Sequence, residues 1–417
     1  MNQLQLFLPC AAGVEDYLAP EVGRITGQAA AQVQKWRGGV LLQASWRDLL
    51  LLNLHTRLAQ RVLVQLFHAQ YRNEQDLYRA ASEVAWEIWF TPRQSIKVEV
   101  TAQHSPLTSL NFAALKIKDA VCDRFRAKAS GVRPDVDTQS PDIRIYAHLT
   151  TDSVSLYIDT SGAALFKRGW REDVGDAPLK ETLAAAMIAA SGWDVLAKQG
   201  VALYDPCCGS GTIAIEAAQI ACNIAPGINR KFAFQKYLPY QAHVWDGLLD
   251  QAEALITEPT AEVFGSDVSF RMVDFAERNA ERAGVANAVQ FRGGDALERM
   301  PPVTNDKGGV MLVNPPYGER IDVAGSAGAP KRAQFQGQVI DDFGQPVQAS
   351  TLHEQSRDRS ANPSREQALT GSGEEASDFF PKLATHWKKN YAGWTAHVLT
   401  PDLKLPSKMR LKESRRV

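Results

Sequence analysis

The tightest constraint on this chain is Asp205-Pro206-Cys207-Cys208-Gly209-Ser210-Gly211-Thr212, set between an apolar run at 201–204 and a second apolar stretch at 213–221. The short run reads as a buried strand and the longer one as a helix, so the glycines fall at a strand-to-helix turn. The first N–H groups of a helix have no partner within it, and Gly209 and Gly211 lack the Cβ that would hold a ligand off the main chain. A polar or charged cofactor fits such a turn. The loop is not specific by itself, because Gly209-Ser210-Gly211-Thr212-Ile213-Ala214 also passes as a dinucleotide fingerprint.

A second stretch, Asn314-Pro315-Pro316-Tyr317, follows the apolar residues 310–313. It puts an amide, a rigid backbone and an aromatic ring at one strand end. These supply acceptors for an amine and a ring to stack on a flat base, although Pro-Pro also punctuates ordinary turns. Between the two stretches lie Val263-Phe264-Gly265-Ser266-Asp267 and Phe291-Arg292-Gly293-Gly294-Asp295-Ala296, two strands that each end in an acid. Strand-end acids of a doubly wound sheet face the ligand crevice.

In this order the four stretches resemble the class I S-adenosylmethionine-dependent methyltransferases of the N-P-P-Y type, which methylate exocyclic amines of bases. The resemblance implies S-adenosylmethionine as cofactor. Asp267 would take the ribose hydroxyls and Asp295, with Ala296, the adenine. Asp205, Cys207, Gly209, Ser210, Gly211 and Thr212 would face the methionine end, and Pro178 and Leu179, opening the preceding helix, would lie beside it. Asn314, Pro315, Pro316 and Tyr317 would be the catalytic turn, in which the Asn314 side-chain oxygen and the Pro315 carbonyl accept from the target amine and Tyr317 stacks on the base.

The chain's 417 residues exceed one typical domain, so two or three are expected. A net charge of −1 gives no global attraction to nucleic acid, which leaves that role to local patches. Five cysteines without a Cys-x-x-Cys pair argue against a disulfide framework and a structural zinc, and no metal site is expected. Cys207 and Cys208 read as buried free thiols. No apolar run approaches the ~18 residues of a membrane span and the N-terminus lacks a signal pattern, so a cytoplasmic protein is expected, as a monomer.

Along the chain, residues 1–55 read as a small α+β lead-in with a helix capped by Ser45. Residues 56–160 alternate strand and helix. The long helix at 110–128 buries Leu110, Ala113, Ile117, Val121 and Phe125, and its other face carries Lys116, Lys118, Arg124, Arg126 and Lys128, with Arg133 beyond. A mixed-charge face is often merely solvated. With the turns His104-Ser105-Pro106-Leu107 and Arg133-Pro134-Asp135-Val136-Asp137, this stretch resembles a THUMP domain. That resemblance implies RNA binding, with Lys116, Lys118, Arg126, Arg133, Arg168 and Arg171 as candidate contacts.

Residues 161–195 read as a linker and a cofactor-flanking helix. Residues 196–417 read as the methyltransferase domain, with strands at 201–205, 262–267, 288–292 and 310–314 and a fifth at 394–400. The expected fold is therefore α/β: a Rossmann-like, mostly parallel doubly wound sheet behind an α+β ferredoxin-like and THUMP module. The aromatic and charged stretch at 222–258 reads either as a covering helix and loop or as a wall for RNA. Residues 324–377, rich in Gly, Ala, Ser, Gln and Pro, read as an insertion.

Lys404, Lys408, Arg410, Lys412, Arg415 and Arg416 form a basic tail, ending where relatives continue into a hairpin. As a whole the chain resembles bacterial large-subunit rRNA guanine-N2 methyltransferases of the THUMP type, which implies 23S rRNA as partner. An adenine-N6 methyltransferase, a non-catalytic RNA-binding assembly factor and a dehydrogenase are the alternatives. The front module weighs against the first, the intact acids and Asn314 against the second, and the Asn-Pro-Pro-Tyr turn against the third.

Overall fold

Two sheets, of seven and five strands, carry the architecture. The computed structural model describes residues 3–175, 178–304, 307–315 and 372–416. Pro316, Tyr317 and residues 324–371 of the expected insertion lie outside the described residues. The chain divides into two compact units, Met1–Arg168 with Ala225–Leu255, and Gly169–Ile224 with Ile256–Val417.

The first unit runs β1 (Leu4–Pro9), α1 (Glu15–Thr26), β2 (Val33–Trp36), β3 (Gly39–Ala44), α2 (Trp46–His55), β4 (Leu63–Gln70), α3 (Glu74–Glu83), β5 (Ile96–Ala102), α4 (Leu110–Lys128), β6 (Ile143–Leu149) and β7 (Ser153–Asp159). Its sheet order is β2-β3-β1-β4-β7-β6-β5. Because β1 pairs with both β3 and β4, the lead-in and the module share one sheet. Helix α2 starts where a reciprocal cap allows: Asp48 N–H donates to Ser45 Oγ (3.1 Å) and Ser45 N–H to Asp48 Oδ2 (2.9 Å). Strand β2 has no counterpart among the sequence expectations. Helix α3 stops at Glu83, and a 3-10 turn follows at Trp86–Ile88. On α4 the buried stripe is Ala113, Ile117, Ala120, Val121 and Phe125, while Leu110, expected to head it, is 37% exposed.

The second unit begins with α5 (Glu181–Ser191) and α6 (Trp193–Leu196), then β8 (Ala202–Asp205) and α7 (Thr212–Ala221). Helix α5 starts three residues after Pro178, which therefore lies before its first turn. The chain then leaves this unit for residues 225–255, which include α8 (Ala242–Ala254) and belong to the first unit. It returns beside its exit, where Thr257 N–H donates to Cys222 O (3.0 Å). Next come β9 (Val263–Asp267), α9 (Phe270–Arg282), β10 (Val289–Gly293), β11 (Gly309–Val313), α10 (Ser372–Asn390), β12 (Trp394–Val398) and α11 (Leu405–Lys408). Helix α10 begins at Ser372, so its first turn lies within the stretch expected as an insertion.

All strand pairs of this sheet are parallel, in the order β10-β9-β8-β11-β12. Helices on both faces bury it, which is why β8 and β11 are apolar along their whole length, apart from Asp205 at the tip of β8. Strand order reverses between β8 and β11. That reversal opens a crevice at their carboxyl ends, where ligands of such sheets bind.

Residues 225–255 of the 222–258 stretch pack onto the first unit. Gly227 N–H donates to Leu54 O (2.9 Å), and a Cβ on Gly227 would sit 2.8 Å from Asn53 O. Arg230 donates to the carbonyls of Ala163, Ala164 and Leu165 at 2.7–3.0 Å. Phe232, Phe234 and Trp245 form one ring cluster, Tyr237 Oη donates to Asp159 O, and Lys236 pairs with Asp142. The segment is anchored to the first unit by these contacts, and Arg230 is occupied by backbone.

Candidate cofactor and methyl-transfer site

Four strand ends of the second unit carry the candidate residues, and the two that flank the switch point are Asp205 at the end of β8 and Asn314 just past β11. Asp205 is 1% exposed, and one carboxylate oxygen accepts from Cys207 N–H at 3.1 Å. Burial, reinforced by the charge of Asp267, pushes its pKa up to about 8. Among the described residues no cation pairs with it.

The glycine loop divides into an open part and a closed part. Gly209 has φ +53° with nothing within 4 Å of the Cβ it lacks, so it leaves the space a ligand needs. Gly211, at φ +88°, is different: a Cβ there would lie 2.9 Å from Ala276 Cβ and 3.1 Å from the Phe291 ring. Its missing side chain makes room for the protein's own packing, which corrects the expectation that both glycines open the loop to a ligand. Ser210 and Thr212 are 7% and 5% exposed.

Asp267 closes over the loop. Its Oδ2 accepts from Gly209 N–H and its Oδ1 from Ser269 N–H, each at 2.9 Å. Burial raises its pKa and these two donors oppose that rise. Asp295, past β10, accepts from Leu297 N–H (2.8 Å), and Ala296 beside it is 7% exposed. Asp205, Asp267 and Asp295 all lie close enough to Cys207 that, after burial, their charges raise its thiol pKa well above the ordinary range. Three carboxylates around one open loop suit a cationic ligand with a diol and an amine. That donor set and the space at Gly209 fit S-adenosylmethionine.

Asn314 is half-buried and Pro315 buried. Their position is fixed by the neighbouring strand, since Leu399 N–H donates to Val313 O at 2.9 Å. Pro178 is exposed and Leu179 half-buried.

Two of the candidate RNA contacts are internal. Arg168 is 3% exposed and donates to Leu165 O and Arg57 O, both at 2.8 Å. Arg171 donates to Glu181 Oε1 (2.9 Å), Leu179 O (2.7 Å) and Thr212 Oγ1 (2.7 Å), so it ties the approach to α5 to the start of α7. The others remain on the surface. Arg126 and Arg133 are exposed and Lys116 and Lys118 half-buried, with Lys116 over the Phe112 ring, Lys118 beside Asp119 and Arg126 beside Asp123.

A residue the sequence reading missed is Asn279 of α9, fully buried, whose Nδ2 donates to Ser210 O (3.1 Å) and Asp173 O (2.9 Å). It holds the glycine loop from behind. An Asn on the otherwise apolar side of an amphipathic helix, three residues after Ala276, was the available signal.

Comparison with known proteins gives three family matches. The model described as an RMKL-like methyltransferase domain matches residues 168–331, the THUMP domain model 71–159, and the RlmL ferredoxin-like domain model 5–63. The chain is 38% identical over 358 residues to the ribosomal RNA large subunit methyltransferase K/L of Aeromonas hydrophila, an alignment that covers 80% of this chain and 49% of the relative. The chain thus spans about half the length of the curated relatives it matches. Among solved structures it is similar to a Listeria monocytogenes protein described as a predicted N6-adenine-specific DNA methylase, with TM-score 0.76, 26% identity, and 99% and 93% of the two chains covered. SMU.472, solved complexed with SAH, shares the fold at TM-score 0.76 and 24% identity, covering 100% of this chain and 94% of its own.

Proposed function

We propose, for a chain that joins an RlmL-type ferredoxin-like domain, a THUMP domain and an RMKL-like methyltransferase domain, that it transfers a methyl group from S-adenosylmethionine to the exocyclic N2 amine of a guanine in large-subunit (23S) rRNA. The observation that carries this reading is the placement of Asp205 and Asn314 at the ends of the two strands flanking the switch point, with Asp267 and Asp295 on the two strand ends beyond. The names of the curated relatives support the rRNA substrate, and the SAH bound to SMU.472 supports the cofactor.

S-adenosylmethionine supplies an activated methyl on a sulfonium. The chain's own residues do the rest. Asp267 would accept from the ribose hydroxyls and Asp295 from the adenine amine, while the acid cluster would favour the positive charge. The N2 amine of guanine is a poor nucleophile because its lone pair is delocalised into the ring. Hydrogen bonds from that amine to the Asn314 side-chain oxygen and the Pro315 carbonyl favour a pyramidal nitrogen with its lone pair aimed at the methyl. Tyr317 is assigned the stacking of the extruded base, an interaction worth about 1–3 kcal/mol. Positioning of this kind accounts for much of the acceleration in such transfers.

The test is incubation with labelled S-adenosylmethionine and rRNA from a methylation-deficient strain, followed by nucleoside analysis. N2-methylguanosine is expected. N6-methyladenosine would move the reading to the adenine alternative, which the same turn can serve, and no incorporation in a protein that binds the cofactor would favour the assembly factor.

A further inference from the structure

The charge of this chain is unevenly placed. Residues 379–416 hold nine Lys and Arg against two Asp and Glu, a net +7 in a chain whose total is −1. All nine cations are exposed. They stand on a segment with its own anchors: Leu405 and Met409 are 3% and 4% exposed, in one core cluster with Leu383, Ala384 and Trp387 of α10 and with Tyr391 just after it. Lys388 Nζ donates to Arg410 O (2.8 Å), which keeps the tail alongside the helix. On α10, Lys382 and Lys389 lie one above the other at helical spacing and line a shallow groove with Thr385, His386 and Asn390. The two acids of the segment pair locally, Asp402 with Lys408 and Glu413 with Arg416.

The C-terminal tail of the segment starts in a particular place. Strand β12 runs parallel to β11, and Leu399 follows it where its N–H reaches Val313 O, one residue before Asn314. The basic band therefore begins at the sheet edge that presents the candidate methyl-transfer turn and continues along α10. We propose that this band, formed by α10 from Phe379 onward, α11 and the residues after them, is a contact surface for the phosphate backbone of the RNA substrate, holding the strand on the methyltransferase unit itself. The proposal rests on the RNA-methyltransferase reading above. It adds that the unit carrying Asn314 has its own RNA grip. A cation row of this kind acts by releasing counterions from the nucleic acid, so its signature is in the salt dependence of binding rather than in sequence preference.

The experiment compares the intact wild-type chain with a K389Q/K404Q/R410Q/K412Q variant. Binding of in vitro-transcribed, unmodified 23S rRNA is measured from 50 to 250 mM KCl, and S-adenosylmethionine binding is measured by calorimetry on the same preparations. The expected result is an RNA affinity at least about 10-fold weaker at 150 mM KCl and a slope of log K on log salt shallower by about two to three, since each lost phosphate contact removes roughly 0.7–0.9. Cofactor affinity stays within about twofold of wild type, because no substituted residue touches the acid cluster. If the variant loses its thermal transition, K404Q/R410Q is read by slope alone, with a decrease of about one to two expected. Unchanged RNA affinity and slope in a folded variant overturn the proposal, and so does a slope that falls only when Lys116, Lys118 and Arg126 are substituted. A wild-type chain that binds S-adenosylmethionine but not the rRNA removes the substrate reading itself, and this surface with it.

Discussion

Each unit ends one strand with a buried carboxylate, and the two have opposite surroundings. Asp159, at the end of β7, is fully buried, with Arg61 Nη1 at 2.6 Å and Ser161 N–H at 2.8 Å. Asp205, at the end of β8, is 1% exposed, has one backbone donor, and faces Asp267 and the loop thiols. Burial raises both acids, and only Asp159 has a cation to oppose it. A protein that buries an acid with an internal partner has completed a structural joint. One that buries an acid among other acids keeps it protonated until something external can balance its charge, and such perturbed groups concentrate at functional sites.

The comparison breaks most sharply on stability. Asp159→Asn leaves the Arg61 guanidinium, 4% exposed, without its counter-charge, and unfolding by urea is expected to show a loss of about 3–5 kcal/mol. Asp205→Asn strands no cation. Its apo form is expected to stay within about 1 kcal/mol of wild type or to gain. Equal losses at the two sites would remove the distinction between joint and ligand site.

Next in size is Asn314→Ala. If the amide accepts from the target amine in the transition state, single-turnover methylation falls by about 10²-fold or more, with cofactor affinity near wild type. If it only caps the turn after β11, turnover follows the amount of folded protein. Measuring both quantities on one preparation separates the two.

A smaller effect is expected at Asp267. Alanine there removes charge-assisted bonds to a ribose and also the acceptor of Gly209 N–H, so calorimetry should show S-adenosylmethionine binding weaker by about 1.5–3 kcal/mol. Unchanged affinity in a folded variant would take the ribose away from β9.

What could be read from sequence tracks how local the cause was. The Ser45 cap and the parallel strands ending at Asp205, at Asp267 and just before Asn314 follow from spacing within a few residues of each feature, and the structure has all of them. Arg168 and Arg171 were placed among the RNA contacts because their partners are distant in the chain: Arg168 bonds Arg57 O and Arg171 bonds Thr212. A guanidinium on a mixed-charge segment looks the same in sequence whether it meets phosphate or a buried carbonyl. Gly211 shows the same limit on a smaller scale, since only the fold brings Ala276 and Phe291 against it.

The most delicate break is in protons. Asp205 has its pKa raised from 3.8 to about 8, so between those values the folded chain holds a proton that the unfolded chain has released. Stability from this group is complete below about pH 4 and is lost as pH rises through about 8. Burial shifts Asp159, Glu21 and Asp267 in the same direction, so the melting temperature of the apo protein should fall from pH 6 to 8.5 and Asp205→Asn should flatten only part of that fall. Ligand binding isolates the part that belongs to Asp205. A fixed sulfonium charge in the acid cluster favours the ionised carboxylate, so S-adenosylmethionine binding at pH 7 should expel a fraction of a proton. That release is read as a dependence of calorimetric enthalpy on the ionisation enthalpy of the buffer. Asp205→Asn should abolish most of it while leaving the bonds to Asp267 and Asp295 in place. Release undiminished in the variant would assign the proton to Asp267 and leave Asp205 outside the ligand's field.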